Sequence, residues 1–462
     1  MTRPPLRPLA AFVATVCASC LAASAVAGGG SEPGPFAAGR RDVTVSRPNG
    51  SSFQATLHYP ATAPGTNAPF DPSGGPYPVF SFGHGYLTPV TQYASTLDHL
   101  ASHGYFAIAS RSGGNLFPSH GAFAEDLRSC LDHLIAANAD DASPFAGAVA
   151  TERLAVGGHS MGGGASILAA AADPRILAVV PLAAADTNPS SIAASSQVAA
   201  PIRLIVGSED SIVPPGPSSG PMYANTPAAR QLVSITGGSH CGFLDGSIPF
   251  CDSGSISRAA QLAETRRLML EFLEVHLREG DDAAWQAVWG PEAATQPGLV
   301  VEIDARLAID PASRVVEVPA GGGTTIVWFV TNTGTREAIV EFELRSEDPI
   351  EALLEPAGAT PLPVGASVEV AVSISNFAGG KPASAVLVAR RSDGAGTSAS
   401  LELIEASSGS PDLNGDGIVS GADLTLLLGN FGGSGLGDLD GSGEVDGADL
   451  AALLGAWKST TP

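Results

Sequence analysis

One stretch limits the fold more than any other: Arg153-Leu154-Ala155-Val156-Gly157-Gly158-His159-Ser160-Met161-Gly162-Gly163-Gly164. A short apolar strand runs into a Gly-x-Ser-x-Gly turn, and an alanine-rich helix follows. The turn is too sharp for side chains at Gly158 and Gly162, and it lifts the Ser160 hydroxyl off the edge of a sheet. This predicts a strand–turn–helix unit within an open sheet. The pattern alone is weak, because the chain holds 55 glycines in 462 residues. A second match, Gly216-Pro217-Ser218-Ser219-Gly220, is flanked by prolines. No strand is expected to precede Ser218 and no helix to begin at it, so Ser218 is read as loop.

A serine hydroxyl is a poor nucleophile at neutral pH. It needs a base, and the base needs an orienting acid. With this turn the acid follows the serine and the histidine comes last. The apolar run Ile202–Val206 ends in Gly207-Ser208-Glu209-Asp210, which places Asp210 at a strand's C-terminal edge. Glu209 and Asp186 compete for the same role. The run Gln231–Ile235 leads through Gly237-Gly238-Ser239 to His240. Of nine histidines, His240 alone has both the right order and the right end of a strand. Stabilising an oxyanion needs two N–H donors. Met161 at the helix start is one. The turn Gly83-His84-Gly85-Tyr86, after the strand Pro78–Phe82, offers Tyr86 as the other; an ordinary tight turn is the alternative reading there.

Strands and helices alternate from about residue 40 to 288, so residues 36–290 are expected to form an α/β unit with a mostly parallel, doubly wound sheet. Strands are expected near Val79, Tyr105, Leu154, Ala178, Ile202 and Leu232, and helices near Tyr93, Asp126, Gly163 and Leu262. From 298 to 406 short β-rich runs appear between Gly, Pro, Asn and Asp residues. They predict an all-β, immunoglobulin-like sandwich acting as a spacer. Residues 407–411 read as a linker.

Beyond the linker a repeat of 26 residues begins at Asp412 and again at Asp438. Oxygen ligands fall at loop positions 1, 3, 5, 9 and 12, with a backbone carbonyl at position 7, as a Ca²⁺ loop requires. In the first copy these are Asp412, Asn414, Asp416, Ile418, Ser420 and Asp423. In the second they are Asp438, Asp440, Ser442, Glu444, Asp446 and Asp449. Each loop runs into a short leucine-bearing helix. Two calcium ions are expected in 412–458, and none for catalysis.

Residues 1–27 read as a signal peptide: Arg3 and Arg7, an apolar stretch from Leu9 to Ala23, then Ala25-Val26-Ala27, with cleavage after Ala27 and export. A lipoprotein signal at Cys20 is the less favoured alternative. No later segment is apolar enough to span a membrane. The formal charge of −23 argues against nucleic acid or anionic membranes as partners. Export permits disulfides. Cys241 and Cys251 enclose a short loop after His240, so their pairing is preferred, leaving Cys130 free.

Residues 40–280 resemble the α/β-hydrolases of the bacterial cutinase and polyester hydrolase group and their chlorophyllase-like and acetylhydrolase-like relatives. The resemblance rests on Gly83–Tyr86, Leu100–Tyr105, Gly158–Gly163, Val180–Ala183, Gly207–Pro214 and Gly238–His240. It implies a Ser160–His240–Asp210 triad with Tyr86 and Met161 as oxyanion donors. Ala185 stands where the polyester hydrolases carry a tryptophan that stacks on aromatic acyl groups. Residues 412–458 are similar to a type I dockerin, which implies docking onto a cohesin. Gly421-Ala422 and Gly447-Ala448 occupy the positions that help choose that partner. The expected function is a secreted serine ester hydrolase docked through calcium. A lipase- or peptidase-like acyl hydrolase, and a non-catalytic calcium-dependent scaffold component, are the alternatives.

Overall fold

The computed structural model describes residues 29–457, apart from 279, 281, 319–322, 376, 378–380, 406–409 and 440–443. The expected signal peptide and its cleavage site after Ala27 lie outside the described residues. So do Asp440 and Ser442 of the second calcium loop and most of the expected linker.

The first unit is built on strands β1 (Ala37–Ser46), β2 (Ser52–Ala61), β3 (Gly65–Thr66), β4 (Tyr77–Gly83), β5 (Phe106–Ser110), β6 (Val149–His159), β7 (Ile176–Leu182), β8 (Ile202–Gly207), β9 (Arg230–Ile235) and β10 (Leu299–Asp304). They form one sheet in the order β10-β9-β8-β7-β6-β4-β5-β2-β1-β3. Strands β4 to β9 run parallel, as their helical crossovers require. β1, β2 and β10 add antiparallel edges. β4 lies between β5 and β6, so the winding reverses there. Such a reversal opens a crevice at the strands' C-terminal ends, and the Gly83 turn and Ser160 both lie at that edge.

The helices are α1 (Ala94–Ser102), α2 (His120–Ala139), α3 (Met161–Ala172), α4 (Ser191–Ala194), α5 (Ser219–Asn225), α6 (Arg258–Leu277) and α7 (Asp282–Trp289). α2 starts where Ser119 accepts the Ala122 N–H, and α6 where Ser257 accepts the Ala260 N–H. Such caps satisfy first-turn donors. α6 buries Leu268, Met269, Phe272 and Leu273.

Two expectations need correction. β10 pairs with β9 from Leu299↔Ile235 to Asp304↔Arg230. The first unit therefore continues past the expected boundary at 290–298, because the open edge of β9 recruits a strand from beyond α7. Second, a helix does begin beside Ser218, since α5 starts at Ser219.

The second unit has nine strands among the described residues: β11 (Leu307–Asp310), β12 (Ser313–Val318), β13 (Thr324–Asn332), β14 (Ala338–Ser346), β15 (Glu351–Glu355), β16 (Thr360–Leu362), β17 (Ser367–Ser375), β18 (Ala383–Arg391) and β19 (Gly396–Glu405). They form two sheets, β11-β13-β17-β15 and β12-β19-β18-β14-β16. Alternate residues point inward, so Trp328, Val330, Val370 and Val372 of one sheet pack against Val340, Leu387, Leu401 and Leu403 of the other. This is a β-sandwich.

The sandwich shares a core with the first unit rather than hanging from a free tether. Val388 and Ala395 belong to the same buried cluster as Phe272, Trp285 and Trp289. Trp285 donates its indole N–H to the Gly394 carbonyl at 3.1 Å, and the Arg345 and Arg390 guanidiniums lie over its ring. Buried His276 joins the two units. Its Nδ1–H donates to the Asp393 carbonyl at 2.6 Å, and its Nε2 accepts the Trp289 indole N–H at 3.3 Å. Burial lowers its pKa from 6.5 to about 4, against the pull of Asp393.

The neutral ring thus contributes stability that is complete above pH 6.5 and is lost as pH falls towards 4. At 1.36 kcal/mol per pKa unit this is about 3 kcal/mol. We expect the unfolding free energy of the full chain to drop between pH 6.5 and 4 by about that much more than in His276→Gln. Parallel pH profiles for the two proteins would show that His276 is not the acid-sensitive contact.

The C-terminal helices α8 (Gly421–Gly429) and α9 (Gly447–Ala456) each begin with a capping box, Ser420 with Asp423 and Asp446 with Asp449. Leu427, Val445 and Leu453 form their small shared core.

Candidate active site

Ser160 sits at the junction of β6 and α3 with φ 57° and ψ −117°. A positive φ strains a residue that carries a Cβ. Here the surroundings enforce it. Ser160 N–H donates to the Leu182 carbonyl at 2.9 Å, and the Ser160 carbonyl accepts from Gly164 and Ala185. A Cβ on Gly162 would stand 2.0 Å from the Gly83 carbonyl oxygen, and one on Gly158 would stand 2.5 Å from the same atom. Both glycines are therefore obligatory, because β4 passes directly over the turn.

Asp210 and His240 meet. His240 Nδ1 lies 2.7 Å from Asp210 Oδ2, and both side chains are buried. The other Asp210 oxygen accepts the N–H groups of Ile212 and Val213 at 2.9 and 2.7 Å. The carboxylate is thus held as an acceptor, and it leaves His240 Nδ1 to donate. The two competitors are engaged elsewhere. Glu209 accepts from Ser255 N–H and Oγ–H. Asp186 accepts from Thr187, Ser190, Ser191 and Ile192 around the start of α4. Burial opposes the Asp186 charge, but those donors, Ile192 first, hold its pKa below the usual carboxylate value. Ser218 donates its hydroxyl to the Pro214 carbonyl at 2.6 Å.

Met161 is the first residue of α3, where an N–H has no carbonyl one turn back to bond. Tyr86 follows the Gly83 turn, half-exposed, with its hydroxyl donating to the Leu116 carbonyl at 2.8 Å.

Three further side chains, Asp252, His159 and Tyr93, tie the site together, and sequence reasoning did not find them. Asp252 accepts the N–H groups of Ser211, His240 and Cys241, so one carboxylate braces the acid loop and the histidine turn. Cys241 and Cys251 form the expected disulfide beside it, and Cys130 is free and buried. His159 and Tyr93 make a buried chain. Gly85 N–H donates to the Tyr93 hydroxyl, Tyr93 donates to His159 Nδ1 at 2.9 Å, and His159 Nε2–H donates to the His240 carbonyl at 3.1 Å. Burial, and then His240, hold the His159 pKa well below 6.5, which keeps the neutral tautomer this chain needs.

Among the described residues, no group of three or more His, Cys, Asp or Glu side chains is arranged to hold a metal ion. No helix of the described residues is long and apolar enough to cross a membrane. In the first C-terminal loop, Asp412 accepts N–H from Gly415 and Gly417, Asp416 from Ile418, and Asp423 from Asn414 and Ser420. Gly415 and Gly417 have φ 71° and 86°, so the chain curls tightly around these carboxylates.

Residues 23–252 match the sequence model of the PETase family, described as PET hydrolase-like. This part of the chain is a PETase/cutinase-like hydrolase domain. Cutinase 1 of Thermobifida cellulosilytica is 27% identical over 210 residues, 45% of this chain and 72% of its own length. A cutinase of Thermobifida fusca (strain YX) is 28% identical over 210 residues, 45% of this chain and 63% of its own. Cutinase cut1 of Thermobifida fusca is 28% identical over 245 residues, 50% of this chain and 71% of its own. The sandwich and the C-terminal helices lie beyond the family match.

Proposed function

We propose that the protein is a secreted serine carboxylic-ester hydrolase, cutinase-like in its chemistry, with Ser160, His240 and Asp210 as its triad. The observation that carries this reading is the buried Asp210–His240 pair at 2.7 Å, on the same sheet edge as the strained Ser160 turn. Asp210 fixes the His240 tautomer so that Nε2 is free to take the Ser160 proton. Ser160 Oγ attacks the ester carbonyl, and the Met161 and Tyr86 N–H groups hold the oxyanion. His240 returns the proton to the departing alcohol. Water, deprotonated by the same imidazole, then releases the acid from the acyl-enzyme. The Cys241–Cys251 disulfide agrees with an oxidising compartment. A fluorophosphonate probe should label the full chain at Ser160, and a panel of neutral esters should turn over while peptides do not. Labelling at another residue, or peptide cleavage without ester cleavage, overturns the reading.

The C-terminal repeat is proposed as a calcium-dependent, dockerin-like module for a cohesin-type partner, and the sandwich as immunoglobulin-like. Asp412, Asn414, Asp416, the Ile418 carbonyl, Ser420 and Asp423 would hold one ion. The second loop, from Asp438 to Asp449, would hold another. Each Asp412 oxygen accepts one N–H and keeps a second lone pair, so this carboxylate suits a hard cation. Calcium would offset the repulsion among these carboxylates and fix the loops against Leu427, Val445 and Leu453. Chelation of the full chain should melt α8 and α9 by circular dichroism and leave turnover of a soluble ester within twofold. Loss of ester turnover on chelation would place a required metal in the hydrolase domain instead.

A further inference from the structure

His84 is a buried histidine that the triad does not use. It sits in the turn after β4, two residues before Tyr86. That turn lies directly against the nucleophile. A Cβ on Gly162 would stand 2.7 Å from the His84 carbonyl oxygen, and one on Gly85 would stand 3.1 Å from His159 Nδ1. His159 and Gly162 flank Ser160, so the turn reaches the reacting centre through both of them.

The His84 ring bridges two backbone carbonyls. Nδ1 lies 2.8 Å from the Gly85 oxygen, and Nε2 lies 2.7 Å from the Ser112 oxygen. A carbonyl has no hydrogen to give, so each ring nitrogen donates and the ring is an imidazolium. Phe123 of α2 packs against it, with ring centroids 5.0 Å apart. Arg40, Arg41, Arg111 and Asp42 line the same cavity as His84, but none of them is bonded to its ring. The two carbonyls are therefore what hold the cation.

The Gly85 carbonyl belongs to the same peptide unit as the Tyr86 N–H. That peptide is not among the cis bonds, so its C=O and N–H point in opposite directions. His84 Nδ1–H takes one lone pair of the Gly85 oxygen, and Thr88 N–H takes the other at 3.0 Å. On the near side, Gly85 N–H is fixed by the Tyr93 hydroxyl. The plane of the peptide is thus set from its carbonyl end. Its N–H end, on Tyr86, donates to no acceptor among the described residues. A cation bonded to a carbonyl also draws electron density from the amide, which makes the opposite N–H a stronger donor.

We propose that His84 is the positioning residue of the oxyanion hole: through the Gly85–Tyr86 peptide it aims and strengthens the Tyr86 N–H. The proposal rests on the ester-hydrolase reading above and adds a residue which that mechanism leaves idle.

Two substitutions in the full chain separate this role from a structural one. In His84→Asn the amide nitrogen replaces Nδ1 and keeps the bond to Gly85. In His84→Gln it replaces Nε2 and keeps the bond to Ser112. Each variant loses one bond to a carbonyl, so their thermal midpoints should fall by similar amounts. Activity should split. With a soluble neutral ester, His84→Gln should lower kcat about 100-fold, as loss of an oxyanion donor does. KM should stay within about twofold, because the contact matters only in the transition state. His84→Asn should stay within about tenfold of wild-type kcat, since it aims the peptide without the charge. Hexyl trifluoromethyl ketone, which forms a hemiketal oxyanion on a serine, should bind His84→Gln more weakly by the same factor as kcat falls. Equal kcat in the two variants, a lower kcat for His84→Asn, or unchanged ketone affinity in His84→Gln defeats the proposal. Absence of ester turnover by the wild-type chain defeats the ester-hydrolase reading itself.

Discussion

Ser160→Ala is expected to lower ester turnover by about 10⁶-fold, the loss that follows removal of a nucleophile from a working triad, while the domain stays folded. The turn is held by the Ser160 backbone, through Leu182, Gly164 and Ala185, and by the glycines packed under β4. An alanine keeps all of those contacts and the same positive φ. Only the oxygen that attacks the ester is lost. Ser218→Ala is the matched control, because it shares the Gly-x-Ser-x-Gly pattern. Its hydroxyl already donates to the Pro214 carbonyl, and no strand delivers it to the sheet edge. It should keep turnover within about twofold. Equal losses from the two changes, or a loss from Ser218→Ala alone, would move the nucleophile away from Ser160.

The glycines around Ser160, the strand ends before Asp210 and His240, and the Cys241–Cys251 pairing were legible because each is local. A sharp turn, a strand with its following loop, and a short covalent ring all lie within a few residues. What was hidden depends on contacts between distant segments. Asp252 looked like one more loop carboxylate, yet the disulfide carries it back over the His240 turn, where it accepts three N–H groups. A carboxylate directly after the second cysteine was the only available signal. His159 fell at the variable place of the motif. Its partners, Tyr93 and the His240 carbonyl, are 66 and 81 residues away in sequence. β10 reads as the opening of the second unit, because nothing in Leu299–Asp304 says which open edge it will join. The helix after Ser218 was missed because prolines at 214, 215 and 217 suggest loop. A proline cannot donate an N–H, but it is tolerated just ahead of a helix.

Asp210→Asn should cost about 10⁴-fold in kcat, far more than Glu209→Gln or Asp186→Asn, because it reverses the tautomer of His240. The Asp210 side chain has two fixed faces. Oδ1 accepts from Ile212 and Val213, and Oδ2 accepts from His240 Nδ1. An asparagine must keep its carbonyl oxygen on the two backbone N–H groups, since turning its amide there would set donor against donor. Its NH₂ then faces Nδ1, and Nδ1 must become the acceptor. The ring proton moves to Nε2, which can no longer take a proton from Ser160. The fold loses little, because the substitution is isosteric and the loop bonds survive. Glu209→Gln changes contacts only to Ser255, and Asp186→Asn weakens the cap of a four-residue helix; both should stay within a few-fold of wild type. The pH profile adds a second reading of the same event. With Asp210 present, the His240 imidazole serves as the base and hydroxide is not needed. In Asp210→Asn the residual turnover should increase further at alkaline pH, where hydroxide replaces the lost base. A larger loss from Asp186→Asn would assign the acid to the end of β7, and equal losses from all three variants would show that no single carboxylate orients His240.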